Sequence, residues 1–163
     1  MSVLNVHERR LGASPAVVGA LIDSLASKED RLWPRESWPP MRFDRPLEVG
    51  ARGGHGPIRY RIETYEPGRI ISFRFEGPPG FVGTHGFSVD RSEEGTILQH
   101  TLAMEARGWA RLSWPLVFRP LHDALLEDAL TKAERGTGAG EPVVVPWSRY
   151  VRVLRWVFSV LKR

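Results

Sequence analysis

Residues 58–66 alternate apolar and polar side chains. Ile58, Tyr60 and Ile62 are interleaved with Arg59, Arg61 and Glu63, a period of two that predicts a strand with one wet face. Pro67 and Gly68 occupy the central positions of a tight turn, so 69–76 returns antiparallel. With Glu66 opposite Arg69, Thr64 faces Ile71, Ile62 faces Phe73 and Tyr60 faces Phe75. That register gathers the apolar members on one side and Arg59, Arg61, Glu63, Arg74 and Glu76 on the other. After the break Gly77-Pro78-Pro79-Gly80, strands over 82–90 and 96–106 form a second hairpin. Pairing Arg91 with Thr96 sets Phe87 opposite His100 and His85 opposite Leu102. His85, Phe87 and Val89 share one face of the first of these strands; Leu98, His100, Leu102 and Met104 share one face of the second.

The flanks follow other periods. Residues 3–11 alternate loosely and predict a first strand. Ser14 before Pro15 is a helix start, an N-cap followed by proline at the first helical position. Val17, Val18, Leu21, Ile22 and Leu25 continue it at helical spacing over 15–26. A short helix is expected over 28–32, then an irregular connection over 33–40 rich in proline and tryptophan. A strand at 46–51 is expected to end in the glycine-rich loop 50–56, which brings the strands to six. A long helical region runs from 109 to 135, with Pro115 and Pro120 bending or restarting its first turns. Gly136 to Gly140 reads as a flexible break, 142–146 as extended, and 147–162 as a closing helix. The class is α+β: an antiparallel sheet, apolar on one face, that needs the long helix to cover it. A cleft lined by aromatics is expected between the two.

At 163 residues the chain fits one domain with a sizeable core, and 42% hydrophobic with 26% charged residues is an ordinary globular composition. There is no cysteine, which removes disulfides, thiolate metal sites and cysteine nucleophiles. The first ten residues mix His7, Glu8, Arg9 and Arg10 into the apolar positions, unlike a secretory leader. These features fit a cytoplasmic location, with the inner membrane face as a peripheral alternative. The net charge of +4 is unevenly placed: 147–163 holds Arg149, Arg152, Arg155, Lys162 and Arg163 and no acid, while the rest has 18 basic and 19 acidic residues. A balanced body argues against nucleic acid as a partner. The loop at 50–56 leads into a strand and carries no Gly-Lys-Ser/Thr, so it is not a phosphate cradle, and neither Gly-x-Ser-x-Gly nor His-Glu-x-x-His occurs.

The order of elements resembles the START-like (SRPBCC) superfamily, which includes the polyketide cyclase/dehydrase group and ligand carriers. The resemblance covers about 3–135 and rests on four features: the Ser14-Pro15 helix start, the Glu66-Pro67-Gly68-Arg69 hairpin, the run Ile70 to Phe75, and the helix ending Leu121-His122-Asp123 through Leu130. It implies a helix-grip domain over 1–135, a curved sheet gripping a long C-terminal helix around an apolar cavity. Outside it remain a Gly/Pro-rich linker, 136–146, and a basic amphipathic helix, 147–163. The superfamily has no universal catalytic motif, so the resemblance carries over no catalytic residue and no cofactor.

The expected cavity lining is Tyr60, Ile62, Phe73, Phe75 and Phe87 from the sheet with Met104, and Trp114 and Phe118 from the helix. His85 and His100 lie diagonally on the same greasy face. They are candidates for orienting a ligand's polar group or for acid–base chemistry, as in a cyclase or dehydratase acting on a polyketide-like substrate; the bland alternative is a pair of satisfied core histidines. No third ligand accompanies them at a spacing that makes a metal site. His122 belongs equally to cleft or surface. On the terminal helix Trp147, Trp156 and Phe158 set an apolar face against Arg149, Arg152 and Arg155. Such a helix suits an interfacial membrane contact, a homodimer, or docking on the domain itself. The leading expectation is binding of an apolar or aromatic small molecule.

Overall fold

The computed structural model describes residues 1–138 and 141–160. Its centre is one seven-stranded antiparallel sheet, ordered β1-β7-β6-β5-β4-β3-β2. The strands are β1 (Ser2–Leu11), β2 (Arg42–Phe43), β3 (Arg52–His55), β4 (Ile58–Glu66), β5 (Ile70–Gly77), β6 (Phe81–Ser92) and β7 (Gly95–Ala106). In the β6–β7 hairpin Phe87 pairs with His100, His85 with Leu102 and Arg91 with Thr96, the register expected from alternation. In β4–β5 Tyr60 faces Phe75 and Ile62 faces Phe73. A register shift between Ile62 and Thr64 then moves Thr64 opposite Ser72 rather than Ile71. A bulge there adds one residue to β4, which alternation alone does not reveal.

The segment 42–56 departs most from expectation. No strand forms over 46–51; two short strands, β2 and β3, pair instead, and this raises the count from six to seven. Two of the four glycines of the supposed loop, Gly53 and Gly54, lie inside β3. A Cβ on Gly53 would stand 2.1 Å from the Arg42 carbonyl oxygen, and one on Gly54 2.0 Å from that of Ile58. They serve close strand approach. The turn is reduced to Gly56-Pro57, between paired His55 and Ile58.

Helix α1 (Pro15–Asp23) starts where Ser14 Oγ accepts a hydrogen bond from the Val17 N–H, and it ends three residues earlier than expected. Ser24 Oγ donates to the Leu21 carbonyl, and Ala26 adopts φ 60°, a left-handed conformation that stops a helix. No helix forms over 28–32. The buried Asp30 carboxylate gathers that segment into a loop by accepting from the N–H groups of Ala26, Leu32 and Trp33. The loop 33–41 is then fixed against the helices: Trp33 Nε1 donates to the Pro39 carbonyl and Lys132 to that of Trp33.

The long helical run opens with α2 (Ala110–Ser113), widens into a π-helical turn at Trp114–Phe118, and continues as α3 (Arg119–Thr137). Pro115 and Pro120 each fall in the first turn of a new segment, where their missing N–H is tolerated. α3 passes through Gly136 and closes at Gly138 in the left-handed conformation, so the expected break starts later; its Ala139 and Gly140 lie outside the described residues. The segment 142–146 is irregular and tied to α3, with Val143 donating to Glu134 and accepting from Thr131. Helix α4 spans Arg149–Val160; it starts two residues later than expected, with Trp147 and Ser148 outside it, and the expected end beyond 160 lies outside the described residues. Helix run and sheet enclose the main core. The curved sheet gripping a long C-terminal helix is a helix-grip α+β fold.

Candidate functional site

Sheet and helices do not close completely. Between them lies a cavity of about 370 Å³, within the range that accommodates small molecules. Its floor is sheet: Phe73, Phe75, Phe81, His85, Phe87 and His100. The helical run contributes Trp114, Phe118, Leu121, His122 and Leu125; Trp33, Trp38, Met41 and His55 come from the segment before β4; Arg155, Phe158 and Ser159 come from α4.

Of the residues expected to line this space, Phe73, Phe75, His85, Phe87, His100, Trp114 and Phe118 do so. Tyr60, Ile62 and Met104 do not. Tyr60 is wholly buried beneath Phe73, His55 and His85, and its hydroxyl meets His55 Nδ1 at 3.0 Å. Ile62 lies in the main core, and Met104 in a smaller cluster with Phe81, Ala110 and Trp114. By sequence alone His55 belongs to a loop and His122 equally to cleft or surface. His122 was legible in part, because Phe118, His122, Leu125, Leu126 and Ala129 form one helical stripe. His55 carried no such mark.

Apart from Ser37, Arg155 and Ser159, the polar side chains lining the cavity are imidazoles. His85 Nδ1 and His100 Nε2 are 3.4 Å apart, so one donates to the other. Their remaining nitrogens, His85 Nε2 and His100 Nδ1, are buried with no partner among the described residues, as are both nitrogens of His122. The rings pack on aromatics: His85 stacks on Phe75 with centroids 4.7 Å apart, and His100 meets Phe87 edge-on at 4.8 Å. Burial among these rings holds His85 and His100 well below the usual imidazole range, and it pushes His55 down to about 3. His122 is lowered as well, with Asp123 opposing the effect of burial. At neutral pH all four are uncharged, and each offers one donor and one acceptor.

A second polar cluster stands beside the cavity, between β1 and α3. His7 Nε2 is 3.1 Å from Asp123 and Nδ1 2.9 Å from Glu127. The hydrogen bond to Asp123 raises the His7 pKa against burial. Burial alone would raise Asp123, but His122, His7 and the Asn5 amide together hold it below the usual carboxylate range. Arg9 extends the network to Glu127 and Glu134. His7, His122 and Asp123 bring three potential metal ligands within 4.8 Å of one another. Both His7 nitrogens already face carboxylates, though, and a protonated imidazole has no lone pair to give.

Helix α4 roofs the cavity. The Arg155 guanidinium is held between the rings of Trp38 (4.2 Å) and Trp147 (4.0 Å), and it donates to the Ser37 carbonyl. Both indole N–H groups donate to Asp128 Oδ2. Expected in water with the other arginines, Arg155 is turned inward, and Phe158 faces the cavity. Arg149, Arg152 and Trp156 remain exposed.

No family model and no curated protein matches the chain. Solved structures do. An NMR structure from Thermobifida fusca aligns over 89% of this chain and 99% of its own, with a TM-score of 0.61 at 17% identity. The di-domain ARO/CYC protein StfQ from the steffimycin biosynthetic pathway aligns over 85% of this chain and 51% of its own (TM-score 0.62, 12% identity). Ara h 8.0201 aligns over 85% and 99% (TM-score 0.60, 9% identity). The fold is START-like. At these identities the START-like likeness extends to architecture alone.

Proposed function

We propose that the protein is a receptor for an uncharged, largely aromatic small molecule, seated in the cavity with its polar group against His85, His100 and His122. The observation that carries this reading is the set of imidazole nitrogens unpartnered among the described residues inside a largely apolar space. A buried polar atom left without a partner costs about 1–3 kcal/mol, and a ligand hydroxyl or carbonyl would remove that cost. Neutral imidazoles suit such a group because they both donate and accept. They provide no countercharge for a carboxylate, and the one guanidinium in the described lining, Arg155, is already engaged by Trp38, Trp147 and the Ser37 carbonyl, so burial of an anion is expensive. Burial of the ligand's apolar surface supplies the main driving force. The test is a titration with a naphthol and with naphthoate, followed by emission from the cavity tryptophans. The naphthol is expected to bind at least tenfold tighter; preference for the anion would overturn the reading.

His122 favours a second reading. Its Nδ1 stands 3.6 Å from Asp123 Oδ1, so a small rotation would give it a carboxylate partner, as an acid–base histidine has. Together with the resemblance to polyketide cyclases, this supports proton transfer on a polyketide-like substrate. A bell-shaped pH–rate profile, with turnover lost and binding kept in His122→Gln, would be its signature; turnover unchanged in that variant would dismiss it.

A further inference from the structure

The roof helix has a second, outward face that the cavity does not use. Each residue advances a helix by about 100°, which puts Val151 and Phe158 on the inner side of α4. Tyr150, Val153, Trp156, Val157 and Val160 spread over the opposite half, and all of them are exposed, Trp156 by 66%. The Tyr150 hydroxyl donates to the Leu116 carbonyl and so joins this face to the π-helical turn. There the patch continues through Leu116, Leu112 and Trp109, which is 81% exposed. Arg111, Arg149 and Arg152 stand among these side chains, exposed and without an ion pair among the described residues.

We infer that this face docks on an anionic lipid bilayer. Indoles and a tyrosine among valines and leucines are what a membrane interface accepts, and arginines at the same level pair with lipid phosphates. The charge also argues against a second copy of the chain. A two-fold contact sets the same patch against itself, bringing Arg149 and Arg152 of both copies together; from 142 to the end the sequence has five basic residues and no acid to offset them. Since the inner face of α4 roofs the cavity, docking sets that roof between bilayer and pocket. The inference stands independently of what the pocket holds.

The full chain is sedimented with phosphatidylcholine vesicles and with an equal mixture of phosphatidylcholine and phosphatidylglycerol. It should pellet with the mixture, weakly with phosphatidylcholine alone, and be released by salt. Trp109→Ser with Trp156→Ser should weaken binding about tenfold, and Arg149→Glu with Arg152→Glu about thirtyfold or more. All four substitutions should leave naphthol binding unchanged, so a failed pocket and a failed membrane face give different results. Protein remaining in the supernatant, equal binding to both vesicle types, or indifference to the tryptophan pair would overturn the proposal. So would a dimer in analytical ultracentrifugation that the same tryptophan substitutions dissociate without any vesicle binding.

Discussion

His7 and His122 have ring centroids 6.1 Å apart and lie on opposite sides of the same helix contact, yet the protein treats them in opposite ways. His7 sits between two carboxylates, with Arg9 continuing the network, and its charge is part of how β1 is fastened to α3. His122 is buried with both nitrogens unpartnered among the described residues, and His85 and His100, bonded to each other, each keep one nitrogen open. The charged groups of the flank are paired, with the Asn5 amide oxygen left over; the cavity leaves four imidazole nitrogens open. A stable interior avoids the second condition, and so the incompleteness points to a site built for something else.

The contrast has a pH signature. The pocket histidines are depressed by burial, so below the unfolded value of about 6.5 the unfolded chain binds protons that the folded one refuses. Stability is therefore flat above that pH and falls as pH drops, by about 1.4 kcal/mol per pH unit for each of His55, His85 and His100. His7 is raised; its contribution is complete below about 6.5 and fades as pH rises through its folded value. Urea unfolding across the pH range should show the acid loss, reduced in His85→Phe with His100→Phe. The alkaline loss should be absent in His7→Leu.

At neutral pH the two regions should also respond differently to removal of their histidines. His7→Leu takes away the imidazole that Asp123 and Glu127 share, leaving Arg9 on Glu127, and should lower stability by about 2 kcal/mol in denaturant titration. His85→Phe with His100→Phe keeps both rings and removes two unpaired nitrogens together with the bond between the pair, and should leave the empty protein within about 0.5 kcal/mol of its starting stability or above it. Equal losses in the two variants would erase the distinction.

The smallest effect belongs to the roof. Arg155→Met deletes two cation–π contacts worth about 0.5–1 kcal/mol each at such a site. Hydrogen exchange over 149–160 should accelerate several-fold while β6 and β7 keep their protection. Acceleration across the whole sheet would make Arg155 part of the general core instead.

Much of this site was legible in the chain. Strict alternation in β6 and β7 fixed which way His85 and His100 point, because a period of two leaves each side chain only two directions. The helical stripe through Phe118 and Leu125 fixed the facing wall. What escaped depends on contacts distant in sequence. β2 is two residues long and β3 carries Gly53 and Gly54, so nothing in their own pattern announces a strand; β3 exists because β4 is there to pair with, and β2 because β3 is. Tyr60 points toward the core side as alternation requires, but Phe73 and His85 lie over it. Arg155 looked like one more solvated charge until Trp38 and Trp147 came together around it.

The central claim is that His85 and His100 await a neutral polar group. A double-mutant cycle tests it directly: a naphthol and naphthalene are each titrated into the native protein and into His85→Phe with His100→Phe. The account predicts that the hydroxyl strengthens binding about fivefold or more in the native protein and brings no gain in the variant, while naphthalene binds both alike. An equal hydroxyl effect in the two proteins would contradict it.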